Sequence, residues 1–482
     1  MRPERLLPSF VALFFLAACG QRPDGVSGSA DLRDEPVTAE VPRFASGSFE
    51  DISWEARFNF PTCDHSADGR RAGAWCESTD QQVSIDNNGV EAELQSWISD
   101  ERIKAMQLAY FSFSNATIAE ALCSAAADRG LKVNLFIHNQ SMDSPAVRRM
   151  QDCMPELVKV TPRGGTFGAD GEFIQHAKIF LASEMSSPMP LADALADESL
   201  SAEDRRLAAE GLVRFTSSSA NMSGFGTSLH FENWLFFETN HANHTAQSNL
   251  CFMKAMADDN AAQFSRIYKD CRDEIAAPAS EVVEFIGVPH GRINPRPFNA
   301  MLDMVRSATE SIKVAVHRMT ISRMMDEFVE KTEAGVNVQV VYDDDTVRGS
   351  VRDGGPILSM DPSDARSYWK LRDAGIEATF VETNAGSIKH LQHNKYLIVD
   401  DRVVFQGAGN FTSAALNVSS DGNFEQFYVL RDPGMVQAYV NAWAHLRTIA
   451  TEREEHQVGN NPDRGIRFDR EQNRWVFSDE QN

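Results

Sequence analysis

Two stretches of the chain, far apart, spell the same chemistry: Gln175-His176-Ala177-Lys178 and Gln392-His393-Asn394-Lys395. Each borders an apolar run, Phe173 to Ala182 in the first case and Tyr396 to Val399 in the second. Each is followed by an Asn segment and then an acid. The first sequel is Ser218-Ser219-Ala220-Asn221 with Phe231-Glu232-Asn233; the second is Gly407-Ala408-Gly409-Asn410 with Phe424-Glu425-Gln426. A lone imidazole beside an apolar run is ordinarily structural. Two copies in one order (His, Lys, Asn, Glu) point instead to a duplicated lobe. If each His-x-Lys lies on a strand, positions i and i+2 face one side, so each imidazole and its ammonium look into one cavity. A pseudo-twofold between the lobes then sets His176 and His393 on opposite faces of one bound group.

That set suits cleavage of a phosphodiester. Imidazole can attack phosphorus or protonate the leaving oxygen, because its pKa is near neutrality and one nitrogen can react while the other is held. Lys178, Lys395, Asn221 and Asn410 supply donors for the phosphoryl oxygens as charge redistributes. Glu232 and Glu425, if buried, can accept the far imidazole N–H, fix its tautomer and stabilise the charged ring. The set calls for no metal and no cofactor.

On these residues the chain resembles the phospholipase D superfamily, which carries two His-x-Lys-x4-Asp motifs. The second copy matches through His393, Lys395, Asp400, Gly407 and Asn410, with Ala408 where a serine is usual. The first departs more: Ser183 takes the Asp place, and about thirty residues, Ser183 to Gly211, intervene before the match resumes at Ser218. The resemblance covers roughly residues 100 to 450. It implies two pseudo-symmetric lobes, each a mixed β-sheet flanked by helices, with the active site at their interface. It also implies a structural role for Asp400, a covalent phosphohistidine formed without metal, and release by water or an alcohol. By that analogy His176 is the nucleophile and His393 the general acid, or the reverse.

The chain opens Met1-Arg2-Pro3-Glu4-Arg5, continues with an apolar run from Leu6 to Ala18, and reaches Leu16-Ala17-Ala18-Cys19-Gly20. A basic start, a short apolar core and small residues before the cleavage point read as a secretory signal, too short for a stable spanning anchor. The small-small-Cys ending resembles a bacterial lipoprotein box with Cys19 lipidated; the alternative is an ordinary signal with an incidental cysteine. Gly20 after the cysteine suits sorting to the outer membrane of a Gram-negative envelope, on its periplasmic face. Gln21 to Ser46, rich in Gly, Ser, Pro, Asp and Glu, suits a flexible tether. Six cysteines remain: Cys63, Cys76, Cys123, Cys153, Cys251 and Cys271. They allow fifteen pairings, and spacing favours neighbours, Cys63–Cys76, Cys123–Cys153 and Cys251–Cys271. The last bridge requires a turn near Asp258-Asp259-Asn260, because an unbroken helix would hold its sulfurs about 30 Å apart at ~1.5 Å per residue.

At 482 residues and 42% hydrophobic content, the chain can bury two sizeable cores. Its net charge of −23 disfavours long nucleic-acid footprints, whose affinity comes from basic side chains, while leaving room for a local positive pocket. Strands are expected at Ala105–Phe113, Leu131–His138, around His176, at Ile312–Val316, Val336–Tyr342, Ile376–Val381 and around His393. Helices are expected at Ala116–Ala127, Ala146–Cys153, Ser322–Ala334 and Asp361–Ala374, several ending at Gly130, Gly335 or Gly375. The alternation argues for an α/β class. Six segments result: signal 1–19, tether 20–50, lobe 1 over 51–276 with an insertion at 183–211, a break at Ala276–Ser280, lobe 2 over 281–452, and a polar tail 453–482. The insertion, acidic and helix-forming over Leu191–Glu210, is expected near the active-site mouth, where it could serve as a lid.

Three further sets of residues have two readings each. His317 and His390 suit the pocket or, more simply, the core and rim. Asp343-Asp344-Asp345 looks like a metal site, yet three adjacent carboxylates cannot all converge on one ion, which favours a solvated loop. Trp234 and Trp369 fit core and cleft wall equally. For function, the leading expectation is an exported, lipid-anchored phosphodiesterase acting on phospholipid head groups. A periplasmic nuclease, a transferase joining lipids and a non-catalytic envelope binding protein are the alternatives. Oligomeric state is not legible.

Overall fold

The structure, a computed structural model, describes residues 43–63, 83–84, 89–164, 174–258, 263–288, 295–343, 362–381, 391–418, 422–450 and short stretches at 460–461, 466–469, 471–472 and 474–477. The signal, Cys19 and most of the tether lie outside that set. So do Cys76, His390, Asp344 and Asp345.

Lobe 1 is an eight-stranded sheet. Its strands are β1 (Phe44–Phe49), β2 (Ile52–Phe58), β3 (Ala105–Tyr110), β4 (Lys132–His138), β5 (Val158–Arg163), β6 (Ile179–Ser183), β7 (Leu212–Ser218) and β8 (Asn233–Asn240). In space they run β1-β2-β8-β7-β6-β3-β4-β5. Lobe 2 has seven: β9 (Val283–Val288), β10 (Ser311–Val316), β11 (Asn337–Asp343), β12 (Glu377–Val381), β13 (Lys395–Val399), β14 (Val403–Gly407) and β15 (Glu425–Leu430). They run β9-β15-β14-β13-β10-β11-β12. Apart from β1, the two orders are identical. In each lobe three strands are parallel (β3, β4, β5 and β10, β11, β12) and the rest antiparallel. The fold is therefore α/β with two equivalent mixed sheets.

Local signals explain these elements. Asn115 caps the helix Ala116–Arg129 by accepting the Ile118 N–H, and Gly130 closes it at φ 74°, a left-handed turn that glycine adopts without steric cost. Gly335 and Gly375 do the same in lobe 2, at φ 92° and 77°. The site-bearing strands β6 and β13 are buried along their whole length, as the central position of each in its sheet requires.

One hydrophobic core runs through both lobes, joining Ile179 and Leu181 of β6 to Tyr396 and Ile398 of β13. The helix Pro433–Ile449 seals it, with Tyr439 and Trp443 buried there. Separate clusters back the outer faces of lobe 1 and lobe 2. Trp234 and Trp369 are both core residues.

Among the described residues two disulfides are present, Cys123–Cys153 and Cys251–Cys271. The second is reached because the helix His244–Ala257 stops and a separate one, Phe264–Asp273, begins; the break falls where the bridge requires a turn. The third expected pairing, Cys63–Cys76, lies outside the described residues.

Three parts of the expected layout take definite form. Strand β1, from Phe44 on, falls inside the expected tether and pairs along β2. The polar tail holds three short paired strands, Asn460–Asn461, Ile466–Asp469 and Arg474–Phe477. The insertion forms two helices, Leu191–Ala196 and Ala202–Glu210, and leaves the sheet at Ser183. That residue is at the far end of β6 from His176, about 23 Å at the rise of a strand. The insertion docks on the helix His244–Ala257 through the Lys254–Asp193 ion pair and the Leu191 N–H donating to Gln247.

Among the described residues, no helix is long and apolar enough to cross a membrane.

Candidate active site

The lobes meet along two matched seams. Gln175 bridges Phe424, and Gln392 bridges Phe231, both in parallel. The His176 N–H donates to the Phe424 carbonyl and the His393 N–H to the Phe231 carbonyl, each at 2.9 Å. In return the Phe424 N–H donates to Ile174 and the Phe231 N–H to Leu391, each at 2.8 Å. The histidines thus stand just before β6 and β13, not on them; what holds their extended backbone is the opposite lobe. Gln175 and Gln392 stiffen the same turns by accepting the N–H two residues on, from Ala177 at 3.1 Å and Asn394 at 2.8 Å.

Side chains cross the same seams. His176 Nδ1 is 2.9 Å from Glu425, and His393 Nδ1 is 2.7 Å from Glu232. Each imidazole is held by the carboxylate of the other lobe, so neither half of the site is complete alone. The Lys178 ammonium donates to the His176 carbonyl at 2.7 Å and lies 3.2 Å from both ring nitrogens. Lys395 donates to the His393 carbonyl at 2.5 Å. Both ammoniums are fully buried. Among the described residues, the side-chain oxygens of Asn221 and Asn410, at equivalent places, are both buried with no hydrogen-bond partner.

Burial and mutual charge set the protonation. Burial pushes Glu232 up to about 7, against the pull of Lys395 and His230. It brings Lys178 down to about 8 and Lys395 down to about 7, with Glu425 and Glu232 respectively opposing. The His393 ring lies well below its ordinary value through burial, Lys395 and His230. Burial lowers His176 as well, but Glu425 works against it. Charge on His393 is also opposed by Lys178 and His176 across the seam, so the two rings act within one electrostatic environment.

The halves are not identical. The Ser219 hydroxyl donates to Glu232 at 2.5 Å; at the matching place stands Ala408, and Asn423 Nδ2 serves Glu425 instead, at 3.1 Å. The counterpart of Asn423 is His230, whose Nδ1 is 3.8 Å from Glu232 and whose ring is 6.0 Å from that of His393. His317 follows β10 with its ring 5.0 Å from His393. Phe111 follows β3 in the same way, 5.4 Å from His176. One side of the site is histidine-rich and the other is not. Donor atoms of His230, Glu232 and His393 lie within 4.8 Å of one another, a set able to hold a metal ion.

Other expected residues fall elsewhere. Asp400 is at the end of β13 away from His393. It adopts φ 52° in the turn to β14 and accepts the N–H groups of Thr309, Glu310 and Ser311 and the Thr309 hydroxyl. It ties β10 to β13. Asp343 is no solvated loop residue: it is buried, and its carboxylate accepts the backbone N–H of Gln392. The pattern did not flag His230. Its only sequence signal is its place directly before Phe231-Glu232, where the second copy has Asn423. Gln406 was missed too; it joins Ser217 and Asn233 across the lobes at 3.0 and 3.2 Å.

The family described as "Cardiolipin synthase, PLD-like domain" matches residues 301–447. A mitochondrial cardiolipin hydrolase of Chlamydomonas reinhardtii is 28% identical over 145 residues, 30% of this chain and 55% of that protein. A phospholipase D of Rickettsia bellii is 23% identical over 141 residues, 29% of this chain and 59% of that protein. The chain thus spans little more than half the length of the curated relatives it matches. Among solved structures, the phosphatidylserine synthase of Haemophilus influenzae Rd KW20 covers 85% of this chain and 90% of its own, with a TM-score of 0.50 and 12% identity, a likeness of fold. The family match and both curated relatives are thus similar to part of this chain, and the matched family stretch falls in lobe 2.

Proposed function

We propose that the protein is a phosphodiesterase of the phospholipase D type, hydrolysing the head-group phosphodiester of phospholipids through a covalent phosphohistidine. The observation that carries this reading is the reciprocal pairing of His176 with Glu425 and His393 with Glu232, with two buried ammoniums beside the rings. A carboxylate on Nδ1 leaves Nε2 of each ring free to react. Glu425 favours retention of a proton on His176, which suits the donor; His393 is then the attacking ring, the reverse of the order taken first from the family.

In the first step His393 Nε2 attacks phosphorus, a P–N bond forms, the P–O bond to the leaving group breaks, and His176 gives that oxygen its proton. In the second, neutral His176 takes a proton from water, the water oxygen bonds to phosphorus, and the P–N bond breaks to restore His393. The ammoniums of Lys178 and Lys395 stabilise the phosphoryl oxygens, the role a metal ion plays elsewhere. The amides of Asn221 and Asn410 add donors.

A lipid ester is supported by the surroundings. Phe225 is 46% exposed and its ring is 5.4 Å from His230, so an apolar side chain stands beside the histidine-rich half. The net charge of −23 opposes polyanionic nucleic acid. We also propose export as a lipoprotein anchored through Cys19, on the strength of the Leu6–Cys19 segment; metabolic labelling with palmitate, lost in Cys19→Ser, tests it. For the activity, purified protein is incubated with phosphatidylcholine or phosphatidylethanolamine vesicles and, in parallel, with single-stranded DNA. Release of phosphatidic acid and free head group is expected. Cleavage of DNA alone would replace the lipid reading with the nuclease one.

A further inference from the structure

We propose that His230, Glu232 and His393 form a binding site for a borderline-soft divalent cation such as Zn²⁺, and that occupation of this site switches the enzyme off. This goes beyond the reaction proposed above, in which no metal takes part.

Geometry carries the argument. Glu232 Oε1 sits between two imidazole nitrogens, 2.7 Å from His393 Nδ1 and 3.8 Å from His230 Nδ1. A tetrahedral zinc ion with bonds of about 2.0–2.1 Å holds its donors roughly 3.3 Å apart. The two observed distances bracket that figure and all three donor atoms lie within 4.8 Å of one another, so movements of roughly one to two ångströms would convert a hydrogen-bonded set into a ligand set. Two imidazoles and a carboxylate are the donors that zinc favours over hard cations. The side is open to entry, since the His230 side chain is 17% exposed and neighbouring Phe225 lies at the surface. The remaining coordination position is then left to water.

Inhibition follows from the tautomer. With Glu232 on Nδ1, the neutral His393 ring presents a lone pair at Nε2. Zinc on Nδ1 takes the lone pair there, the single ring proton moves to Nε2, and the attacking electrons are gone. The ion also takes Glu232 away from its orienting role.

The pseudo-symmetry supplies an internal comparison. The mirrored half has His176 and Glu425 in the same relation, but Asn423 replaces His230 and donates an amide N–H to Glu425 at 3.1 Å. An amide N–H is a donor, not a ligand. The chain therefore holds one complete triplet and one incomplete one.

Calorimetric titration of the full chain with ZnCl₂ at physiological salt tests this without substrate, so its failure would leave the phosphodiesterase reading standing. One ion per chain is expected to bind with micromolar affinity, and Mg²⁺ is expected not to compete. His230→Asn, which copies the mirrored half, is expected to weaken that site at least ~30-fold, roughly 2 kcal/mol. Asn423→His, which completes the second triplet, is expected to raise the stoichiometry from one to two. Equal affinity in His230→Asn, or an unchanged stoichiometry in Asn423→His, would overturn the proposal. In active preparations Zn²⁺ is expected to inhibit the wild type and to spare the residual activity of His230→Asn.

Discussion

Glu232 of the first lobe holds the imidazole of His393 in the second, Nδ1 to Oε1 at 2.7 Å. The mirrored bond joins Glu425 to His176. The acid that follows each His-x-Lys in the sequence therefore serves the other histidine. This exchange gives the duplication a physical reason: one lobe alone would carry an imidazole without its acceptor and a buried carboxylate without its donor.

The exchange predicts a coupling pattern. Glu232→Gln should cut the rate by about 10²- to 10⁴-fold, the scale seen when the orienting acid of a catalytic imidazole is neutralised. Adding Glu232→Gln to His393→Ala should cost little more than His393→Ala alone, because both act on one ring. Adding it to Lys178→Ala should cost more than either change alone. Steady-state kinetics on a soluble diester checks both, and additivity of Glu232→Gln with His393→Ala would contradict the pairing.

Lys178 predicts the alkaline limb of the pH profile. Burial brings its ammonium down to about 8, so in free enzyme the charge is present below that pH and lost above it. kcat/KM, which reports the free enzyme, should fall first as Lys395 loses its charge near pH 7 and again as Lys178 loses its own near pH 8. Lys178→Arg, with a guanidinium that stays charged, should move that second fall upward whatever its absolute rate. A flat wild-type profile to pH 9.5 would contradict the role.

Asp400 predicts a stability effect separate from catalysis. Burial alone would raise its carboxyl, but the N–H groups of Ser311, Glu310 and Thr309 outweigh this and hold it below its ordinary value. A depressed acid stabilises the fold above its unfolded pKa and loses that contribution as pH falls through the folded one. Asp400→Ala should therefore lower stability by ~1–3 kcal/mol at neutral pH, and the gap in Tm should narrow below about pH 4. Activity at permissive temperature should stay near wild type, since the residue is remote from His393. A large loss of kcat without a change in Tm would contradict this placement.

Phe225 separates lipid from soluble substrates. Phe225→Asp should weaken hydrolysis of vesicle-borne phospholipid about tenfold or more while leaving a short soluble diester within a factor of about two. Equal losses on both would indicate a structural role instead.

Much of this architecture is legible in the chain, and the limits have physical causes. The repeated His, Lys, Asn and Glu are visible because chemistry fixes residue type and order. Helix ends at Gly130, Gly335 and Gly375 are visible because a left-handed turn favours glycine. Which glutamate meets which histidine is not visible, because pairing is decided by the seam of backbone bonds between Gln175 and Phe424 and between Phe231 and Gln392. The same seam explains why the histidines precede their strands. Asp343 reads as part of an acidic run, yet its burial follows from its place at the end of a central strand. The insertion reads as helix-forming in the sequence, but its docking on the helix His244–Ala257 is decided by tertiary contacts, the Lys254–Asp193 pair among them.

The most direct test is chemical trapping. Brief exposure of wild-type protein to a labelled diester, an acid-labile linkage being preserved by alkaline quench, is followed by peptide mapping. A phosphoramidate is expected on His393, absent in His393→Ala and accumulating in His176→Ala when a good leaving group needs no proton. Turnover with no phosphohistidine on either ring, or label found on a residue outside this pair, would contradict it.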